Sequence, residues 1–325
     1  MIVESKFSPS WWLRNPHLQT ILASKVFKPA EVQTLRERIE LEDGDFIDVN
    51  LSKKTTGDIV AIFHGLAGCW QSSYIQGVFG TLEAAGFRPV LMHWRGCSGE
   101  PNRLSRAYHS GASDDIRWFI HYLQQRFTDQ SIYALGYSLG ANALLKYLGE
   151  AGADSPVNAA MAICPPLVLS EGAKQLDSGL ARNYQRYLIS LMRAQHERKR
   201  LAYPELQLRA ADESLDNFWK FDDAITAPLH GYDGVQDYYD RCSARQFLPS
   251  IDTPTRILCA RDDPFFTPAV IPEASELSAT TTLEISDTGG HVGFLGSERS
   301  KRRWLDHHAA AVLTDFRQAS SSAIL

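Results

Sequence analysis

The chain has 325 residues, 44% of them hydrophobic, and its 33 basic and 38 acidic side chains give a net charge of −5. A polymer of this length buries roughly three quarters of the surface it exposes when unfolded, so a core forms without disulfides or a structural metal. The mild acidity argues against a charge-driven nucleic-acid binder, and the five scattered cysteines, with no CxxC pair, argue against a zinc ribbon and for a reducing compartment.

The opening stretch, "MIVESKFSPSWWLRNPHLQT", has no basic leader followed by an apolar run, and no apolar run approaches the ~18 residues of a membrane span. The expectation is a cytoplasmic protein with no stable membrane insertion. Asn15 caps a first helix with Pro16 at its first position, and Leu18, Ile21, Leu22 and Val26 form an apolar stripe on it. Residues 1–30 are therefore expected to pack near a pocket. Trp11 and Trp12 beside the stripe also suit membrane attachment, but covering the pocket is the preferred reading.

Residues 58–63 (DIVAIF) read as a buried strand, followed by a helix with Ile75, Val78, Phe79 and Leu82 on one face. Residues 87–94 form the next strand. Ser113 then caps a helix carrying Ile116, Phe119, Ile120 and Leu123, and residues 131–135 lead as a strand into "GYSLGANALLKYLGE". Residues 157–164, 255–260 and 281–286 are further strands, and a last helix carries Leu305, Ala309, Val312, Leu313 and Phe316 on one side. Strand–helix alternation of this kind predicts an α/β fold, a mostly parallel central sheet with helices on both faces. The alternation fails between about Pro165 and Pro249, which is expected to be a helical cap insertion over the functional edge. The resulting division is an N-terminal segment 1–30, a core of 31–165 and 250–325, and a cap of 166–249.

Gly136-Tyr137-Ser138-Leu139-Gly140 is a G-x-S-x-G between strand and helix. A sharp turn there strains the central residue and crowds side chains two places away, which glycine relieves, while the helix N-terminus faces the hydroxyl. Serine needs a base, and the base needs an orienting acid. In a fold of this kind they follow in the order Ser, acid, His from loops after later strands. Asp263, just before Pro264, is the preferred acid, with Asp262 as runner-up and Glu171 as a more distant alternative. His291, behind Gly289-Gly290, is the base. The oxyanion donors are expected to be the backbone N–H groups of Leu139 and Leu66, the latter in "HGLAG". His64, His17 and His93 read as structural, and the pair His307-His308 as surface. No two histidines stand at i, i+4 beside an acid, so no metal site and no cofactor is expected.

The strings "NPHLQT", "HGLAGCWQSSYI", "RGCSGEPNRLSRAYHSG", "GYSLGANALLKYLGE", "PLHGY", "ARDDPFF" and "GGHVGF" occur in order from about Phe7 to Phe294. Together they resemble the YheT-type esterases, a branch of the α/β-hydrolase superfamily. The resemblance implies a triad of Ser138, Asp263 and His291, and an esterase acting on small-molecule carboxylic esters with short to medium acyl chains. Eukaryotic relatives include lipid hydrolases and enzymes that make fatty-acid ethyl esters. One departure is His93, two residues before the arginine of "RG", where the family more often carries asparagine. Transfer of the acyl group to an alcohol is the alternative reading, and a non-catalytic binding protein on the same fold a minor one. No sequence feature specifies an oligomeric state.

Overall fold

A computed structural model describes residues 1–26, 28–298 and 303–322. Its strands β1 (Ile2–Glu4), β2 (Thr34–Glu40), β3 (Phe46–Ser52), β4 (Ile59–Phe63), β5 (Arg88–Met92), β6 (Ile132–Tyr137), β7 (Val157–Ile163), β8 (Thr255–Ala260) and β9 (Thr281–Ser286) form one sheet in the order β1-β9-β8-β7-β6-β4-β5-β3-β2. Pairing is parallel from β5 across to β1, and β3 and β2 continue the sheet antiparallel. This is the mostly parallel α/β sheet that the alternation predicts.

Side chains along each central strand alternate between two layers of helix. In β4, Ile59, Ala61 and Phe63 meet α3 (Ser113–Arg126) and α4 (Leu139–Ala151), and the same cluster holds Ile116, Phe119, Leu144 and Leu148. Val60 and Ile62 face the other way, into a cluster with Val78 and Phe79 of α2 (Ser73–Ala84) and Leu305 and Leu313 of α10 (Trp304–Ser322). The expected apolar faces of α2, α3 and α10 are thus the buried ones, except that Phe316 is only partly buried. Ser113 is the first residue of α3 rather than its cap, and its hydroxyl accepts from Lys146 Nζ at 2.8 Å.

The β1 strand and the β2–β3 hairpin were not foreseen from the sequence. β3 is buried along its whole length although it carries Asp48 and Asn50, because those side chains find partners on β2 and, for Asn50 Oδ1, on His93 after β5. Arg38 and Arg36 donate to Asp48, and Asn50 donates to Thr34 Oγ1.

Between β7 and β8 lie α5 (Leu169–Leu176), α6 (Arg182–Ala202), α7 (Phe218–Phe221), a π-turn at Asp222–Thr226, α8 (Ala227–Leu229) and α9 (Val235–Cys242). They carry two small apolar clusters of their own, one around Tyr238 and Tyr239 and one around Phe221 and Ile225. Lys199 of α6 ties this region to the loop after β5, donating to Asn102 Oδ1 and to the carbonyls of Ser105 and Arg106.

The first helix, α1 (Pro16–Lys25), begins as expected, with Asn15 Oδ1 accepting from the N–H groups of His17 and Leu18. Its apolar stripe divides: Leu22 packs against Leu13, Ala23 and Leu295, and Ile21 reaches the cavity over Ser138, while Leu18 and Val26 turn outward. Gln19 and Ala23 form the buried face, while Leu18, Ile21 and Val26 are exposed. The reason is the hydrogen-bonding capacity of Gln19, which donates to the carbonyls of Leu13 and Leu295 and accepts from the Leu295 N–H. A buried amide with three partners fixes which side of the helix faces the protein.

Candidate active site

The turn from β6 into α4 is built by its glycines. A Cβ on Gly140 would run into the Phe63 carbonyl and stand 2.6 Å from His64 O, and one on Gly136 would stand 2.7 Å from Ala141 Cα. Between them Ser138 takes φ 49°, ψ −117°, a conformation that side-chain-bearing residues rarely adopt and that lifts its hydroxyl clear of the turn.

The loop after β9 brings His291 Nε2 to 2.9 Å from Ser138 Oγ, and the loop after β8 brings Asp263 Oδ2 to 2.8 Å from His291 Nδ1. With a carboxylate accepting at Nδ1, the neutral ring carries its proton there and leaves Nε2 to accept from the serine hydroxyl. Asp263 is held in turn by the Phe265 N–H, which donates to its Oδ1 at 2.9 Å. The Phe265 ring stacks on the imidazole at 3.9 Å and 9°, leaving the ring little freedom to swing.

The neighbouring acids are placed otherwise. Asp262 Oδ1 accepts from the Gly290 N–H at 2.9 Å, and its other oxygen is buried without a partner, so burial pushes its pKa up to about 6. Glu171 accepts from Thr267 Oγ1. Cys164, also buried, has its sulfur within 4.8 Å of ligand-type atoms of Asp263 and His291. Those two groups already bond each other, so the cluster is an acid–imidazole pair beside a thiol.

The "HGLAG" turn lies directly above the serine, where a Cβ on Gly65 would stand 3.2 Å from Ser138 Cβ. Gly65 N–H donates to Tyr74 Oη, Ala67 N–H to Tyr108 Oη and Gly68 N–H to Gly65 O. Leu66 N–H has no acceptor among the described residues, and Leu139, first residue of α4, has no carbonyl four places back within the helix. Both residues line the same cavity as Ser138. His64 is fully enclosed, which pushes its pKa down to about 3, and it serves the loop by donating to Gly65 O and accepting from the Trp94 N–H. His93 Nε2 bonds Asn50 Oδ1 at 2.6 Å, and His17 Nδ1 lies 3.0 Å from Tyr184 Oη, so both are structural as read. His308 is a correction: it is half-buried, stacks on Trp304 and bonds Glu284 Oε2.

What sequence reasoning missed is the part α1 plays in this site. Thr20 Oγ1 accepts the His291 N–H at 2.9 Å and donates to Pro16 O at 2.8 Å. The helix backbone sits so close to the loop that a Cβ on Gly290 would stand 2.5 Å from Pro16 O. Gly290 has φ +59°, so the second glycine before the histidine answers both a left-handed backbone and a helix lying against it. Thr20 and Gln19 belong to "NPHLQT", but their partners stand 271 and 276 residues away and leave no local signal.

The cavity over Ser138 has a volume of about 790 Å³. Leu169, Leu176, Leu188, Met192, Phe221 and Ile225 of the region between β7 and β8 give it an apolar wall.

A serine on a strained strand-to-helix turn after β6, an acid after β8 and an imidazole after β9 define a class. Residues 58–298 match the family model for the alpha/beta hydrolase fold, and the chain belongs to that family. Within it, the chain falls in the YheT-type branch: it is 39% identical to the candidate esterase YheT of Escherichia coli (strain K12) over 98% of this chain and 95% of that one. It is also 27% identical to the medium-chain fatty acid ethyl ester synthase/esterase 2 of Saccharomyces cerevisiae, over 96% of this chain and 69% of the relative. Among solved structures, the Pyrococcus furiosus esterase Pf2001 shares the fold with a TM-score of 0.58 at 13% identity, covering 98% of both chains.

Proposed function

We propose that the protein hydrolyses carboxylic esters with short to medium acyl chains through an acyl-enzyme on Ser138. The observation that carries this reading is the unbroken hydrogen-bond chain Ser138–His291–Asp263 at the floor of an apolar cavity. As the Ser138 oxygen bonds to the ester carbon, its proton passes to His291 Nε2, and Asp263 stabilises the imidazolium that forms. The carbonyl oxygen takes the negative charge and accepts from the Leu66 and Leu139 N–H groups, each such donor being worth about 3 kcal/mol of barrier in comparable sites. Collapse returns the electron pair, breaks the bond to the alkoxy oxygen and sends the His291 proton to the leaving alcohol. Water then adds to the acyl-enzyme by the same steps and releases the acid. A cavity of about 790 Å³ suits a chain of several carbons better than an acetyl group alone.

The test is turnover of p-nitrophenyl esters from acetate to palmitate by wild type and by Ser138→Ala. The expected result is an optimum at intermediate length and loss of turnover in the variant; turnover by Ser138→Ala at the wild-type rate overturns the reading. Transfer of the acyl group to an alcohol is a second reading, favoured by the yeast relative's name and by the apolar cavity, in which water and alcohol compete for one acyl-enzyme. Ethyl ester formed in proportion to added ethanol supports transfer, and free acid alone at every ethanol level rejects it.

A further inference from the structure

We propose that the exposed side of α1 and the segment before it form a docking surface for an anionic phospholipid bilayer, placed so that the mouth of the cavity opens onto lipid. The proposal rests on the esterase reading for the nature of the substrate, but docking itself does not depend on catalysis.

Exposed apolar side chains are concentrated here. Of the eleven large ones among the described residues, five lie between Trp11 and Val26: Trp11 at 82%, Trp12, Leu18, Ile21 and Val26 at 59%. Leu18 and Ile21, on α1, cannot turn inward. The opposite side of α1 is fixed by Gln19, fully buried and bonded to Leu13 and Leu295, and by Thr20, bonded to His291. Rotating the helix would orphan a buried amide and release the loop that carries the imidazole.

The patch is continuous with the cavity. Ile21 and Lys25 line the cavity as well as the surface, and across from them stands the half-exposed Tyr187 of α6, whose hydroxyl accepts from Lys25 Nζ at 3.3 Å. An apolar ester leaving a bilayer at this rim reaches Ser138 along apolar wall and is never fully solvated, which avoids most of the free energy of transfer through water.

Charge selects the occupant. The first 28 residues carry Lys6, Arg14, Lys25 and Lys28 against Glu4 alone, on a chain whose net charge is −5. Arg14 and Lys25 fall within the segment Trp11–Val26 that carries the exposed tryptophan and aliphatic groups, and that segment has no acid, which matches a surface of anionic headgroups over an acyl layer. A second copy of this chain fits less well, because a self-complementary contact through the patch would bring the same cations together. Among the described residues no helix is long and apolar enough to cross a membrane, so the contact is with the surface.

The experiment uses the full chain with Ser138→Ala, so that vesicles are not consumed, in flotation with phosphatidylcholine vesicles containing or lacking about 30 mol % phosphatidylglycerol. The chain is expected to float with the anionic vesicles and to shift its tryptophan emission to the blue. Adding Trp11→Ser, Leu18→Ser and Val26→Ser is expected to lower partitioning about tenfold or more, and Arg14→Gln with Lys28→Gln to lower it on anionic vesicles only. In a Ser138 background the three serine substitutions should leave turnover of p-nitrophenyl acetate unchanged, showing that fold and pocket persist. The proposal is overturned if the chain stays unbound at every lipid concentration or if the serine variant floats like its parent. It is equally overturned if sedimentation shows a dimer that the serine variant converts to monomer, which would assign the patch to a second copy. A chain that floats but whose Ser138 form hydrolyses no ester retains the docking surface and loses the esterase reading; one that hydrolyses without floating does the reverse.

Discussion

Replacing Thr20 by valine removes the hydroxyl that accepts the His291 N–H at 2.9 Å and puts a methyl of similar size in its place. An N–H left without an acceptor away from water costs about 1–3 kcal/mol. The bond is only partly enclosed, so the lower half of that range, about 1–2 kcal/mol, is the appropriate figure. The loop can recover this by moving the N–H toward solvent, which carries the imidazole away from Ser138. At about 1.4 kcal/mol per factor of ten, kcat/KM should then fall roughly 5- to 30-fold. The melting temperature should drop by no more than about 2–4 °C, since the loss is local in a chain of this size. Thr20→Ser keeps the acceptor and should restore activity. The assay is kcat/KM on a soluble p-nitrophenyl ester beside a thermal melt. A folded Thr20→Val protein with wild-type kcat/KM would refute the claim that α1 holds the histidine loop in place.

The two adjacent aspartates should separate by function. Asp263→Asn deprives His291 Nδ1–H of its acceptor and should lower kcat by about 10⁴, whereas Asp262→Asn keeps an oxygen for the Gly290 N–H and should stay within about tenfold; steady-state rates in the reverse order would invalidate the assignment. Gly140→Ala drives a Cβ against the Phe63 and His64 carbonyls, which are backbone and cannot step aside, and should destabilise by about 1–3 kcal/mol with loss of activity. An unchanged melt would count against the tight turn. Asp222 is fully buried, and desolvation raises its pKa from 3.8 to about 6 in spite of hydrogen bonds from Thr226 and Tyr239. An acid with a raised folded pKa takes up a proton on folding, so its contribution to stability falls as pH climbs from about 4 to about 6 and is least favourable above that. Asp222→Asn should therefore be stabilising by about 3 kcal/mol relative to wild type at pH 8, and by little at pH 4. A gain confined to low pH would contradict the sign.

The central strands and the helices beside them were legible because each buries a face of fixed period, and the site loops because G-x-S-x-G needs a particular turn and the partners follow in chain order. Legibility failed where buried polar groups are satisfied by partners on another element. The β2–β3 hairpin looks too polar for a sheet until Arg36 and Arg38 are seen against Asp48. The inner face of α1 is chosen by Gln19, whose carbonyl partner on Leu295 no local pattern announces, so of the stripe of Leu18, Ile21, Leu22 and Val26 only Leu22 packs inward and Ile21 reaches the cavity. Side-chain direction at Asp262 and Asp263 is set by a turn that leaves one against a ring and its neighbour against a backbone amide.

Acid-quenching the protein within the first turnovers of a p-nitrophenyl ester and weighing the intact chain tests the account most directly. The account predicts one added acyl group, mapped to Ser138 after digestion and absent from Ser138→Ala and His291→Ala proteins treated alike. Ester turnover by wild type with the acyl group on another residue, or an equal adduct on the Ser138→Ala chain, would contradict it.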